Sequence, residues 1–176
     1  GHDTIYMLQP DDPEHPQLVN AHHFKTSQLT KSNAAAMGVS FAPDGKRVAF
    51  VQAGKLWTMN PDGGDQKVIV NETRVIDYEW SPDSKWVVYS RQDGSFASEL
   101  YIVPATGATA ANPARNITRY ATLNSDVSWS ADGHKLAFLS ARGGSTLPTL
   151  YVTALRKPAA LGVPEGPPAG GGVEID

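Results

Sequence analysis

The sequence contains no cysteine, so it can form neither a disulfide nor a metal site with thiolate ligands. It also contains no run of about 18 apolar residues, so no membrane-spanning helix is predicted. Basic residues are not in excess, because 15 Lys and Arg stand against 18 Asp and Glu and the formal net charge is -3. Since nucleic-acid-binding surfaces are usually basic, we expect no nucleic-acid partner.

The familiar catalytic and cofactor motifs are absent from the 176 residues as well. The sequence has no Gly-x-Ser-x-Gly nucleophile motif, no His-Glu-x-x-His motif, no P-loop and no Gly-x-Gly-x-x-Gly motif. We therefore predict no catalytic residue and no cofactor in this chain. No signal peptide is recognisable in the first residues.

What the chain does contain is a segment that recurs three times, at 39–51, 78–90 and 127–139. Each copy has an aromatic-centred strand, a turn of the Pro-Asp-Gly type and a nearly all-apolar strand. The turn aspartates, Asp44, Asp83 and Asp132, are 39 and then 49 residues apart. A repeat of about 40 residues with four short strands is typical of a β-propeller blade. Their shared turn position gives these aspartates a structural role rather than that of catalytic acids or calcium ligands.

The rest of each repeat supplies the other strands of a blade. The apolar second strand predicts burial on both faces, as in a blade packed between two others. Third strands are predicted at 55–59, 99–103 and 149–153, and outer fourth strands at 67–70 and 115–118. Before the first repeat, segments 4–8 and 28–30 match a third and a fourth strand around a polar, proline-rich insertion at 10–23.

These strands predict an all-β fold, a partial β-propeller of roughly three four-stranded antiparallel blades within residues 1–156. Two blades are complete and two are truncated at the ends. Residues 157–176 are rich in Pro, Gly and Ala and are predicted to be a linker leading to a following domain. Complete propellers usually have four to eight blades, so two apolar faces would remain open. We expect the remaining blades, or a second copy of the chain, as partners.

The histidines are the candidate metal ligands of the chain. Only His22 and His23 are adjacent, and neighbouring residues of a strand point to opposite faces, so a shared ion is unfavourable. We therefore interpret the histidines as loop residues and predict no metal site. The five are His2, His15, His22, His23 and His134.

Binding residues of a propeller are expected on its variable loops, because the blades themselves are scaffold. Arg91, Phe96 and Arg142 are the candidate peptide-contact residues, since a guanidinium group binds a carboxylate through two parallel hydrogen bonds. The alternative is that these residues belong to solvated hairpin tips without a ligand. The three candidate loops are 10–27, 92–98 and 141–148.

The Ser-Pro-Asp-Gly-Lys type of turn, followed by an apolar strand and a Leu-Tyr-Val type of strand, resembles the PD40 repeat, the TolB-like propeller blade. The segment 80–91 is similar to blades in the first, six-bladed propeller of tricorn-like proteases. The segment 155–160, a glycine-rich stretch and 173–176 resemble the linker after that propeller and the start of a second one.

The resemblance implies that the parent is a serine peptidase of the tail-specific class. Its propellers would gate or channel peptides or unfolded polypeptides toward a catalytic domain that lies C-terminal to this region, so none of the family's catalytic residues falls in this chain. A periplasmic or secreted parent is implied too. A TolB-like periplasmic protein-binding propeller without enzyme activity remains the alternative. The propeller of a prolyl-oligopeptidase-type or amidohydrolase fusion is also open, because all of these share the same blades.

Overall fold

The computed structural model describes residues 4–144 and 147–155. These residues form strands and no helix, and therefore no helix that could cross a membrane. The predicted linker at 157–176 and His2 lie outside the described residues. In chain order the strands are β1 (Tyr6–Pro10), β2 (Phe24–Gln28), β3 (Ala36–Phe41), β4 (Val48–Gln52), β5 (Lys55–Met59), β6 (Lys67–Val70), β7 (Val75–Trp80), β8 (Trp86–Gln92), β9 (Ser98–Pro104), β10 (Arg115–Asn116), β11 (Asn124–Trp129), β12 (Lys135–Ser140) and β13 (Thr149–Ala154).

The strands form four antiparallel sheets whose order follows the chain. We call them the N-terminal hairpin (β1-β2), the first blade (β3-β4-β5-β6), the second blade (β7-β8-β9-β10) and the third blade (β11-β12-β13). Within each sheet, the strands pair with their neighbours in sequence, as in a propeller blade. The predicted all-β partial propeller is confirmed, including a truncated unit, two complete blades and a further incomplete one.

The N-terminal hairpin differs from the expectation. The sequence predicts the second strand at 28–30, but it spans Phe24–Gln28, because Tyr6 pairs with Gln28 and Pro10 pairs with Phe24. Four of the five residues in β2 are exposed, so the strand carries no apolar pattern that the sequence could reveal. The insertion is therefore shorter than the predicted candidate loop and covers residues 11–23.

The outer strand of the second blade is also shorter than the expected 115–118. β10 ends at Asn116, although the Ile117 amide still donates to the Leu100 carbonyl oxygen at 2.8 Å. The next bond of the ladder is made by a side chain, because the Leu100 amide donates to Thr118 Oγ1 at 3.1 Å. The hydroxyl replaces a backbone carbonyl, so the segment follows the sheet without continuing as a regular strand.

The repeated turn behaves as its residue types predict. In each copy the aspartate side chain accepts a hydrogen bond from the backbone amide two residues later, which closes a compact turn. The residue after the aspartate has φ of 71° at Gly45, 61° at Ser84 and 73° at Gly133. The bonds run from Lys46 to Asp44 at 3.0 Å, from Lys85 to Asp83 at 3.1 Å and from His134 to Asp132 at 2.9 Å.

The second strand of a blade is buried on both faces because successive side chains enter different interfaces. In β8, Val87 and Tyr89 pack between the first and second blades, whereas Val88 packs between the second and third blades. All three are 0% exposed. Burying an aliphatic side chain of this size contributes about 1.5–3 kcal/mol. Each complete blade is thus stabilised through two neighbours.

A half-buried tyrosine joins the first blade to the second. The Tyr78 hydroxyl lies 2.7 Å from the Ala49 carbonyl oxygen and 2.9 Å from Ser40 Oγ, and it also contacts the Gly38 carbonyl group. Burial raises the pKa of Tyr78 to about 12. A nearby hydroxyl behaves differently, because Tyr89 Oη is buried in the same interface with no hydrogen-bond partner among the described residues.

A buried asparagine joins the second blade to the third. Asn124 is 0% exposed, and its backbone amide donates to Ser98 Oγ at 2.8 Å. Its carbonyl oxygen accepts from Ser98 Oγ at 2.7 Å and from Ser90 Oγ at 3.3 Å. The side-chain amide donates to backbone carbonyl groups, including that of Tyr120 at 3.1 Å. Polar groups therefore hold this interface as well as apolar ones.

The two ends of the array present apolar side chains to solvent. On the hairpin, Tyr6 is 58% and Leu8 is 55% exposed, and on β13, Leu150 is 64% and Val152 is 63% exposed. The equivalent strand of the second blade, β9, is largely buried. The exposure of both end faces follows from the absence of a further blade beside either of them among the described residues.

The two interface tyrosines generate a matched test. Tyr78→Phe removes a hydroxyl that bonds across the first interface, so we expect the free energy of unfolding to fall by about 1–2 kcal/mol. Tyr89→Phe removes a buried hydroxyl that has no partner among the described residues, so we expect the stability to stay equal or to rise. Urea denaturation followed by tryptophan fluorescence measures both. Equal losses in the two variants would contradict this assignment.

Alkaline pH should weaken the same interface. The folded-state pKa of Tyr78 is raised from 10.0 to about 12, so its contribution is complete below pH 10 and is lost as the pH rises toward 12. We expect the free energy of unfolding to fall over that range. Tyr78→Phe should show a smaller fall than the unchanged chain, and parallel curves for the two proteins would refute the link.

The turn geometry gives a third expectation. Gly45 has φ of +71°, and no atom lies close enough to obstruct an added methyl group, so Gly45→Ala should cost about 1 kcal/mol through backbone conformation alone. Gly94→Ala is the matched control, since Gly94 lies in an exposed turn without a positive φ. Thermal unfolding should show a lower midpoint for Gly45→Ala only.

Candidate functional site

Loops at one end of the blades form a continuous hydrogen-bonded surface. We call this surface the loop rim and define it as residues 53–54, 71–74, 92–98, 117–123 and 141–144. The Gln92 amide donates to the Arg74 carbonyl oxygen at 3.0 Å, and the Ser98 amide donates to the Thr122 carbonyl oxygen at 2.8 Å. Such bonds connect the hairpin loop of one blade to the segment that links two blades. The rim is therefore held in place by backbone contacts rather than left as separate loops.

Arg91, which borders the loop rim, is engaged within the protein. Its guanidinium group forms an ion pair with Glu72 and donates to Tyr101 Oη at 2.8 Å. It also lies over the Tyr101 ring, 4.6 Å from the centroid. A peptide carboxylate that reached Arg91 would have to share this cation with Glu72.

Arg142 occupies a similar environment on the third blade. Its guanidinium group donates to the Thr118 carbonyl oxygen at 3.1 Å and lies 5.1 Å from the Tyr151 ring centroid and 5.5 Å from that of Tyr120. Tyr101 and Tyr151 occupy equivalent positions, since each stacks on the aromatic residue opposite it in the second strand of its blade. Both arginines thus cover a third-strand tyrosine, a contact that stabilises the blade by cation–π attraction.

Phe96 is the sequence candidate that remains open to a partner. Its side chain is 78% exposed at the tip of the β8–β9 loop, and its φ is 65°. Asp93 Oδ1 organises this tip by accepting bonds from the Ser95 amide at 2.8 Å and the Ala97 amide at 3.1 Å. The hydrogen bond from the Ser95 side chain is the main cause that lowers the pKa of the Asp93 carboxyl. An ordered turn therefore presents an exposed aromatic ring.

The three sequence candidates do not form one cluster. No hydrogen bond, ion pair or ring contact among the described residues joins Arg91, Phe96 and Arg142 to one another. The two arginines are half-buried supports within the blades, whereas Phe96 projects from the rim. Of the three, only Phe96 offers a large apolar surface that folding leaves uncovered.

The loop at 11–23, between β1 and β2, contains a cluster of one carboxylate and two imidazole groups. His15 Nδ1 lies 3.3 Å and His22 Nδ1 3.4 Å from the same oxygen, Asp12 Oδ2. The backbone amide of His22 is the main cause that holds the pKa of the Asp12 carboxyl below its usual range. The sequence points only to the neighbours His22 and His23 as a pair, and that pair is not the one that forms. The spacing of Asp12 and His15, three residues apart in a proline-rich loop, is the signal that could have found this cluster.

No family model matches the chain. Among curated proteins, it is 33% identical over 116 residues to tricorn protease homolog 1 of Streptomyces coelicolor, a match that covers 64% of this chain and 10% of the relative. It is 27% identical over 111 residues to the Tol-Pal system protein TolB of Francisella tularensis, a match that covers 60% of this chain and 24% of the relative. The chain thus spans between a tenth and a quarter of the length of these relatives.

Two solved structures share the fold. The tricorn protease superposes with a TM-score of 0.61 at 15% identity, over 74% of this chain and 15% of that chain. TolB from Acinetobacter baumannii superposes with a TM-score of 0.58 at 18% identity, over 87% of this chain and 41% of that chain. The repeat, the blade topology and these similarities agree, and the chain is a partial β-propeller that is similar to the propellers of tricorn protease and TolB.

Proposed function

We propose that this chain is a non-catalytic propeller segment of a tricorn-like peptidase, and that it steers peptides or unfolded polypeptides while supporting assembly of the whole protein. The observation that carries the proposal is the 33% identity to the tricorn protease homologue over 116 residues. The sequence contains none of the catalytic motifs named above. We therefore assign peptide-bond hydrolysis to another part of the proposed peptidase.

The loop rim is the proposed contact surface for such polypeptides. An extended, unfolded chain exposes apolar side chains and backbone groups, and an exposed aromatic ring on an ordered turn can bind the former. Phe96 meets that requirement, since its ring is 78% exposed and the hydrogen bonds of Asp93 hold the turn beneath it. Because the turn is already ordered, little conformational entropy is lost when a ligand binds.

The end faces are the proposed assembly surfaces. Tyr6 and Leu8 at one end and Leu150 and Val152 at the other are more than half exposed, although they occupy blade positions. Such faces and strand edges favour association with further strands. We propose that the remaining blades of the propeller, or a second copy of this chain, cover them.

A TolB-like protein-binding propeller without enzyme activity is the second candidate. The 27% identity to TolB over 111 residues favours it, and that similarity also supports a periplasmic or secreted location. In this case the loop rim would recognise a folded partner rather than an unfolded polypeptide. The two candidates therefore differ in the conformation of the ligand.

The test measures binding of the full chain to fluorescein-labelled unfolded polypeptide, such as casein, by fluorescence anisotropy. Phe96→Ala should weaken binding by about tenfold or more, because buried aromatic side chains dominate most interfaces. Val19→Ala is the matched control, since Val19 is 86% exposed but lies in the β1–β2 loop away from the rim. Both variants should keep the unfolding midpoint of the unchanged chain.

The outcomes separate the candidates. Saturable binding that is weakened by Phe96→Ala and not by Val19→Ala supports a polypeptide-steering rim. Absence of binding to unfolded polypeptide contradicts the first proposal and favours the TolB-like candidate. Binding that both variants leave unchanged refutes the role of Phe96.

A further inference from the structure

The loop between β1 and β2 gathers one carboxylate and two imidazoles that none of the blade contacts uses. We propose that Asp12, His15 and His22 bind a single divalent transition-metal ion, with zinc as the occupant that their chemistry fits best. This reverses the expectation from the sequence, which predicted no metal site. It does not depend on the peptide-steering function, because the cluster lies outside the loop rim.

The distances within the cluster suit metal ligands better than hydrogen-bonding partners. Tetrahedral zinc with bonds of about 2.0–2.2 Å places its ligand atoms about 3.3–3.6 Å apart. His15 Nδ1 and His22 Nδ1 lie 3.3 and 3.4 Å from Asp12 Oδ2. Typical N–H···O hydrogen bonds are shorter, at about 2.7–3.2 Å. His15 Nδ1 is buried and makes no hydrogen bond within the described residues, so it has an unused lone pair or proton facing the carboxylate.

All three ligand atoms can reach one ion with small adjustments. They lie within 4.8 Å of one another, and the two imidazole rings meet edge to face at 77° with centroids 4.6 Å apart. The His15 side chain is 41% exposed and the His22 side chain is 69% exposed. These side chains have room to rotate, so closing the remaining distance between the two nitrogens requires no movement of the blades.

The Asp12 carboxylate is preorganised by hydrogen bonds within the loop. The Asp12 side chain is only 9% exposed, and its two oxygens accept backbone bonds from the two ligand residues. The His15 amide donates to Oδ1 at 3.2 Å and the His22 amide donates to Oδ2 at 3.0 Å. The Asp11 amide also donates to the His23 carbonyl oxygen at 2.8 Å, which closes the base of the loop. A site of this kind loses less entropy on binding than a flexible loop would.

The donor set selects the class of metal ion. Calcium and magnesium prefer sites made of oxygen ligands, whereas imidazole favours zinc and its neighbours among the transition metals. Two imidazoles and one carboxylate leave a fourth tetrahedral position for water. A metal ion here would cross-link Asp12 to His22 across the loop and stabilise the hairpin by binding only the folded loop.

The experiment titrates the metal-free full chain with zinc in competition with a chromophoric chelator, and repeats the titration with cobalt to record visible absorption. We expect one ion per chain and a cobalt spectrum typical of four-coordination. His22→Ala and His15→Ala should each weaken zinc binding at least about tenfold, as loss of coordination support does elsewhere. His23→Ala is the matched control and should bind zinc within about twofold of the unchanged chain, because His23 supplies no ligand.

Thermal unfolding provides the second readout. Zinc should raise the midpoint of the unchanged chain and of His23→Ala, and should leave that of His22→Ala unaltered. Because His22 is largely exposed, its removal should not disturb folding of the metal-free chain, so this variant separates loss of a ligand from loss of structure. Absence of saturable one-to-one binding, or equal weakening by His22→Ala and His23→Ala, would overturn the proposal.

Discussion

The structure depends on burial of the second strand of each complete blade from both sides. A sheet whose central strand is apolar on both faces cannot be stable in water alone, because one face would always be exposed. In β8 the consecutive residues Val87 and Val88 pack into different interfaces, and both are fully buried. The blades therefore stabilise one another in series, and the interfaces between them are the core of the protein.

Polar bonds add specificity to these interfaces. The Tyr78 hydroxyl connects strands of two blades through the Ala49 carbonyl oxygen and Ser40, and Asn124 connects the next pair through Ser98. Apolar side chains alone would tolerate sliding of one blade past another, whereas a buried hydrogen bond is satisfied in one register only. Hydrogen bonds also order the loop rim, because backbone bonds such as that from the Ser98 amide to the Thr122 carbonyl oxygen connect the loops of successive blades.

The loop rim and the β1–β2 loop differ in how they are built. At the loop rim, Arg91 and Arg142 are engaged in contacts that stabilise the blades, and Phe96 is the most exposed large apolar side chain of the rim. In the β1–β2 loop, the polar groups of Asp12, His15 and His22 face one another and contribute to no interface between the described blades. The scaffold thus places the exposed Phe96 ring and the cluster of Asp12, His15 and His22 on separate loops.

The sequence by itself determined the all-β repeat, the number of blades and the turn chemistry, because these depend on local periodicity and on aspartates that bond their own backbone. It also predicted the bounds of β5 and β6 correctly. It was wrong about the bounds of β2, whose exposed polar residues have no apolar pattern. It named Arg91 and Arg142 as candidate contact residues but could not show the tyrosine rings that they cover. Only the tertiary structure brought His22 to Asp12 and His15 rather than to His23. The physical reason is that such contacts are set by how the chain folds back on itself, and not by the residues on either side.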